Sequence, residues 1–469
     1  MVPDVVHLSA VGQRALLEAG SISAVELCEA HLEQIKRVDP LVNALVTRTA
    51  ELALARAGES DGRRSRGEPA RLLEGIPVAH KDLLDTAGVR TTYGSPIYAD
   101  NFPAFDALPV RRMREAGAVM LGKTNTPEFG AGSQTFNPVF GTTRNPWDPS
   151  RTCGGSSGGS AVALACGMVA LADGSDLGGS LRNPAAFCGV VGLRPSPGRV
   201  PSWPSDAPYS PFAVDGPMAR TVADVALLLD ALTGEDPRVP LSLPAPAVPF
   251  RQIDEREPAA VRIAFAPSLG GLPIDPAVSA GIAAALRALA TSGMRVELDA
   301  PDLADADHIF EVERALGFTG LRGELELHPE LVKETVRWNI EQGLALTGAD
   351  ISDARFRHAR LCERVDAFMQ GYDVLACPAT QVMPFPVEIE YPEVIDGVRL
   401  TTYIEWIRVC SRITATGLPA ISIPAGFSSD GLPIGLQLVG RRRGERGLLA
   451  VAQAAERVFG AAARPPIAS

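Results

Sequence analysis

From residue 169 the chain runs Val169-Ala170-Leu171-Ala172 and then Asp173-Gly174-Ser175-Asp176-Leu177-Gly178-Gly179-Ser180-Leu181-Arg182-Asn183-Pro184. Four apolar residues in a row predict a strand buried on both faces. The two glycines before Ser180 let the backbone approach a bound group closely and aim several N–H donors at it. An oxyanion needs that geometry. The chain is therefore expected to build a covered sheet that delivers a serine into a ring of backbone amides.

The surrounding sequence fits such a sheet. Ile76-Pro77-Val78-Ala79-His80-Lys81 and Ala118-Val119-Met120-Leu121-Gly122-Lys123 read as short strands, with a helix over 111–116 between them. Gly189 to Leu193, Arg262 to Phe265, Asp373 to Ala376, Ala420 to Ile423 and Ile434 to Val439 supply further strands. Helical spacing marks 8–57, with Ser23 as an N-cap, and also 221–232, a segment opened by Asp275-Pro276, 307–369 and 446–459. Asp61 to Gly67 reads as a polar loop punctuated by glycine. This alternation predicts an α/β fold with a central mixed sheet and helices on both faces.

Gly154-Gly155-Ser156-Ser157-Gly158-Gly159-Ser160 could be a flexible linker, but it is clamped between apolar elements, which favours a built loop. Residues 127–149 lack periodicity over a length that favours a functional loop. The expected layout is one domain over 1–469. N-terminal helices occupy 1–70, a core 71–235, a mainly helical insertion or lid-like layer 236–372, and the rest of the core 373–469.

Several function classes are excluded early. A net charge of −11 argues against a general nucleic-acid surface. No apolar run is long enough for a membrane span, and the start at Met1 lacks the basic and apolar regions of a signal peptide, so a cytoplasmic protein is expected. Seven scattered cysteines without a CxxC pair predict reduced thiols and no zinc site.

A serine nucleophile needs a base. Five of the six histidines lie in or beside predicted helices, and His80 alternates with Lys81 on a strand, so only one of those two faces the site. Of 44 basic residues only four are lysine, which makes each lysine in an apolar setting conspicuous. Lysine can act as a base where burial lowers its pKa, since at a reference value of about 10.4 only about one in 2,500 is neutral at pH 7. Lys81 and Lys123 both qualify, and either could equally be a buried ion-pair partner. Gly154 to Gly158 matches G-x-S-x-G formally, but no strand precedes it; P-loop and dinucleotide fingerprints are absent.

Together Pro77 to Gly94, Gly154 to Ala161, Asp173 to Pro184 and Gly417 to Gly440 closely resemble the amidase signature family, in the same order and over nearly the whole chain. The resemblance implies the amidase signature fold and a Ser-Ser-Lys triad: Ser180 as nucleophile, Ser156 as a bridging serine on a cis peptide, Lys81 as base. The 24 positions from Ser156 to Ser180 fit the family and select Ser156 over Ser157. It further implies an oxyanion hole from the N–H groups of Leu177, Gly178, Gly179 and Ser180, and substrate contacts at Gly130 and Gly132. Asp176 and Arg182 are expected either to support the loop or to stand as separate surface charges. No metal or organic cofactor is implied. The expected partner is a small-molecule amide, and association as a homodimer is allowed.

The expected reaction is amide hydrolysis through an acyl-serine. Two rivals share the motifs: the A subunit of a tRNA-dependent amidotransferase, and a non-catalytic binding protein on the same fold. Residues 129–140, 200–212 and 305–406 are expected to shape the pocket, with Phe136, Trp203, Phe318, Tyr403 and Trp406 as candidates.

Overall fold

The structure, a computed structural model, describes residues 4–460 and 463–468. Met1, Val2 and Pro3 of the opening segment lie outside the described residues. One 11-stranded sheet organises the molecule. Its order is Leu45–Arg48, Val119–Thr124, Pro77–Lys81, Leu171–Asp176, Val214–Ala219, Val191–Arg194, Ala420–Phe427, Pro433–Val439, Val374–Pro378, Arg262–Phe265 and Arg295–Leu298. Pro77–Lys81 is parallel to both its neighbours, the middle of the sheet is antiparallel, and the far edge is parallel again, so the sheet is mixed.

Every residue of Pro77–Lys81, Val191–Arg194, Val214–Ala219, Val374–Pro378 and Pro433–Val439 is buried. Strands covered on both faces gain from apolar residues at every position, which is why Val374–Pro378 reads as a continuous apolar run; Val214–Ala219, which holds Asp215, Gly216 and Pro217, does not. The helices Gly158–Ala165 and Arg182–Cys188 are buried along their whole length. The first can pack this closely because it begins with glycines: a Cβ on Gly159 would lie 2.3 Å from the backbone nitrogen of Asn125. Outer helices are one-sided. In Ala24–Val42, Ser23 and Glu26 form a capping box, and Leu27, Ile35, Val38 and Val42 face inward.

Several segments differ from expectation: within 8–57, read as helical, Leu45–Arg48 is an edge strand of the main sheet, and Val214–Ala219 is a central strand not foreseen from the sequence. Asp61–Ser65 is the last turn of the helix Ala50–Ser65, not a loop. Asp61 accepts the N–H groups of Ala24 and Val25 at 2.8 and 3.1 Å, and Arg64 donates to the Leu17 carbonyl. Tertiary hydrogen bonds thus hold a stretch of low helix propensity in a helix. Residues 236–372 are helical over Pro276–Thr291 and most of 306–369, yet they also add Arg262–Phe265 and Arg295–Leu298 to the main sheet. No helix among the described residues is long and apolar enough to cross a membrane.

Candidate active site

Strand register brings the first group into place. Val78 and Ala79 pair with Leu171 and Ala172, so the ends of the two strands lie side by side. Asp173 clamps them: one carboxylate oxygen accepts the Lys81 N–H at 2.7 Å and the other pairs with His80 Nδ1. His80 is thereby committed to Asp173 on the face opposite the Lys81 side chain.

Lys81 is completely buried. Its Nζ reaches Ser156 Oγ at 2.7 Å, Ser175 Oγ at 2.9 Å and Ser157 Oγ at 3.0 Å. Burial pushes its pKa down to about 7, against the opposing pull of Asp215, Asp176 and Asp173. A neutral amine has two N–H donors and one lone pair, so with three hydroxyls around it one hydroxyl must donate to the nitrogen. Lys81 is therefore equipped to take a proton from a serine near neutral pH.

The Gly155–Ser156 peptide is cis. Ser157 N–H donates to the Ser180 carbonyl at 3.2 Å, which ties the two serine loops together. Ser156 and Ser180 line one cavity of about 220 Å³, together with Gly130, Gly132 and Gly178. Ser157 contacts Lys81 but does not line that cavity. Ser180 Oγ makes no hydrogen bond among the described residues and is free to react with a cavity occupant.

Of the four backbone N–H groups expected to converge near Ser180, one is already used. Gly179 N–H donates to Asp176 Oδ1 at 3.0 Å, whereas those of Leu177, Gly178 and Ser180 have no acceptor among the described residues. Gly179 contributes its conformation instead. Its φ is +115°, and a Cβ there would lie 2.5 Å from the Cβ of Cys410.

Asp176 and Arg182 are not surface charges; both are fully buried. Arg182 meets Asp176 through two hydrogen bonds of 2.8 and 3.0 Å, and donates to Gln437 Oε1 at 2.7 Å and Thr414 Oγ1 at 3.0 Å. Arg194 approaches Asp176 from the other side at 3.3 Å. Burial alone would raise the Asp176 carboxyl, but the two guanidiniums outweigh it and hold it well below the usual range. Arg194 is desolvated enough that its pKa falls to about 10. Asp176→Asn would leave two buried cations short of their anion, and is expected to cost about 3–5 kcal/mol of stability, read as a lowered urea unfolding midpoint.

Arg194, Gln437 and Asp215 have no signal in the local sequence. Asp215 lies opposite Ser175 across the sheet, accepts from Ser202 Oγ at 2.6 Å, and is raised by burial to about 6. It is the largest of the carboxylate influences that favour the charged form of Lys81.

Lys123 is also fully buried and also lowered by burial, but its Nζ donates to the Leu84 carbonyl and, at 2.9 Å, to Thr86 Oγ1, away from both serines. Of the five aromatic candidates, Phe318 and Tyr403 line the Ser180 cavity. Phe136 lies under Lys333, Trp203 stacks on Arg238, and Trp406 packs in the core against Phe385.

A mixed sheet that sets a fully buried lysine against Ser156, which shares one cavity with Ser180, suits acyl-transfer chemistry, and comparison with known proteins gives the class. The amidase family matches residues 26–449. The chain is 37% identical to the A subunit of glutamyl-tRNA(Gln) amidotransferase from Chloroflexus aggregans, over 96% of each chain. It is 34% identical to an acylamidase from Rhodococcus erythropolis, over 93% of this chain and 92% of the relative. A bacterial aryl acylamidase structure superposes with a TM-score of 0.88 at 28% identity, covering 96% of both chains. The chain belongs to the amidase signature family and is an amide-hydrolysing enzyme of that family.

Proposed function

We propose that the chain hydrolyses a carboxylic amide through an acyl-serine intermediate, with Ser180 as nucleophile, Ser156 as proton bridge and Lys81 as base. The observation that carries this reading is the 2.7 Å contact from the fully buried Lys81 Nζ to Ser156 Oγ, with Ser156 and Ser180 in one cavity. Ser180 Oγ bonds to the amide carbon as its proton passes to Ser156, and the Ser156 proton passes to neutral Lys81. The N–H groups of Leu177, Gly178 and Ser180 are placed to receive the carbonyl oxygen as it becomes an oxyanion, each worth about 3 kcal/mol. Asp176, held by Arg182 and Arg194, keeps the loop in shape by fixing Gly179 N–H. When the C–N bond breaks, the proton returns along the same path to the leaving nitrogen. Water, activated by the relay, then releases the acid.

The single sheet that runs through all four sequence segments supports reading the chain as one domain. A fluorophosphonate is expected to label Ser180 one to one, seen by mass spectrometry of the peptide, and a panel of simple amides to be hydrolysed. Absence of both the adduct and hydrolysis would refute the assignment.

The 37% identity to the amidotransferase relative favours a second reading, release of ammonia from glutamine for use by a partner protein. Preferred hydrolysis of glutamine over other amides, enhanced by that partner, would support it. Turnover of varied amides by the chain alone supports the first reading.

A further inference from the structure

Among the described residues five arginines are buried, and four have their charge matched in a familiar way. Arg182 and Arg194 face Asp176, and Arg199 faces Glu445. Arg220 is bonded to four backbone carbonyls, those of Val6, Leu8, Leu164 and Val169. Arg314 is the exception. It lies on the helix Ala306–Phe318, is 5% exposed, and lines the same cavity as Ser156 and Ser180. Its hydrogen bonds go to two neutral side chains, from Nε to Asn339 Oδ1 at 3.0 Å and from Nη2 to Tyr403 Oη at 2.6 Å. Phe318 and Tyr403 stack against the guanidinium at 4.8 and 5.6 Å.

No carboxylate pairs with Arg314 among the described residues. Of the acids that line the cavities Arg314 borders, Asp176 pairs with Arg182, Glu313 with Arg355, and Asp215 accepts from Ser202, while Asp206 is exposed to solvent. A buried cation without an anion is costly unless an anion arrives. Tyr403 adds a directional donor. Its oxygen accepts N–H groups from both Arg314 and Asn339, which fills its two acceptor positions. Its own O–H proton must then point to a third direction, and Tyr403 borders the cavity. Arg314 and Tyr403 together thus offer a planar cation and a hydroxyl donor to one occupant, the arrangement that suits a carboxylate.

We propose that the amides cleaved by this enzyme carry a carboxylate, and that Arg314 and Tyr403 hold it while the amide group sits at Ser180. This specificity rests on the hydrolase reading above. A neighbouring chamber of about 430 Å³, lined also by Pro201, Asp215 and Glu313, shares Leu83, Phe129, Leu177, Arg314 and Phe318 with the Ser180 cavity, so Arg314 stands where the two spaces meet.

Two amides of equal carbon count test the proposal: hexanamide and the monoamide of adipic acid. The monoamide is expected to have a kcat/KM at least about tenfold higher, the scale of one charge-assisted bond. In Arg314→Met the ratio between the two should collapse towards one. Arg314→Lys should recover part of it, and Tyr403→Phe should reduce it by less. Fluorophosphonate labelling of Ser180 in each variant shows whether the serine centre is assembled. If Arg314→Met fails to label, Tyr403→Phe and competitive inhibition of the parent enzyme by adipate decide the matter. Equal or better turnover of hexanamide by a parent enzyme that labels at Ser180 would overturn the carboxylate proposal and leave the hydrolase reading standing. An unchanged ratio in Arg314→Met would do the same. A parent enzyme that neither labels nor cleaves any amide would overturn both.

Discussion

Ser180→Ala is expected to lower kcat for amide hydrolysis by at least about four orders of magnitude, on the scale of nucleophile removal in other acyl-transfer enzymes. The variant should fold normally. Ser180 Oγ makes no hydrogen bond among the described residues, so truncating it leaves no buried partner unsatisfied. The three free N–H groups at Leu177, Gly178 and Ser180 belong to the backbone and survive the change. Substrate should therefore still bind, and any residual rate measures what the oxyanion donors and orientation supply. Steady-state hydrolysis and calorimetric substrate binding on the same preparation check both halves. Turnover of the parent's order would remove Ser180 from the nucleophile's role.

Lys81→Met is expected to reduce kcat/KM at pH 7 by about two to four orders of magnitude, the usual range for loss of a positioned base. Methionine keeps much of the volume of a side chain that is completely buried, so the effect reports chemistry more than packing. The pH dependence gives an independent check. Only the neutral amine can accept the relayed proton, and the Lys81 pKa is lowered to about 7. The rate of the parent enzyme should accordingly rise with pH through a midpoint near 7 and level off above it. Asp215 favours the ammonium form, so Asp215→Asn should move that midpoint to lower pH. A midpoint that stays fixed in Asp215→Asn, or one that persists in Lys81→Met, would assign the titration to another group.

The local elements are legible because each is written in contiguous residues. Ser23 and Asp275 cap the helices that follow them, as N-cap chemistry requires. The run Leu171–Asp176 is a buried strand, and Ser180 follows it at a glycine with positive φ. The stretch at Asp61 reads as a loop because the hydrogen bonds that keep it helical come from Ala24 and Val25, remote in sequence. Arg314 has no signal of its own either: its setting comes from Asn339, Tyr403 and the serine loops, which meet only on folding.

By itself the sequence determined most of the strands and helices, though not the strands Leu45–Arg48, Val214–Ala219 and Arg295–Leu298, along with the glycine-cradled serine and the choice of lysine over histidine as the chemistry to look for. Strand patterning gave Lys81 only a modest advantage over Lys123, each at the end of an apolar strand, and it was the family resemblance that pointed to Lys81. The tertiary structure sets only one of them, Lys81, against the serines, through register. Those strands are parallel neighbours in which His80 aligns with Lys123 and Lys81 with Thr124. Side chains alternate along a strand, so a one-residue offset sends Lys81 to the face of the two serines and Lys123 to the face of His80. Pairing partners are chosen by packing across the whole sheet, and no local pattern encodes that choice.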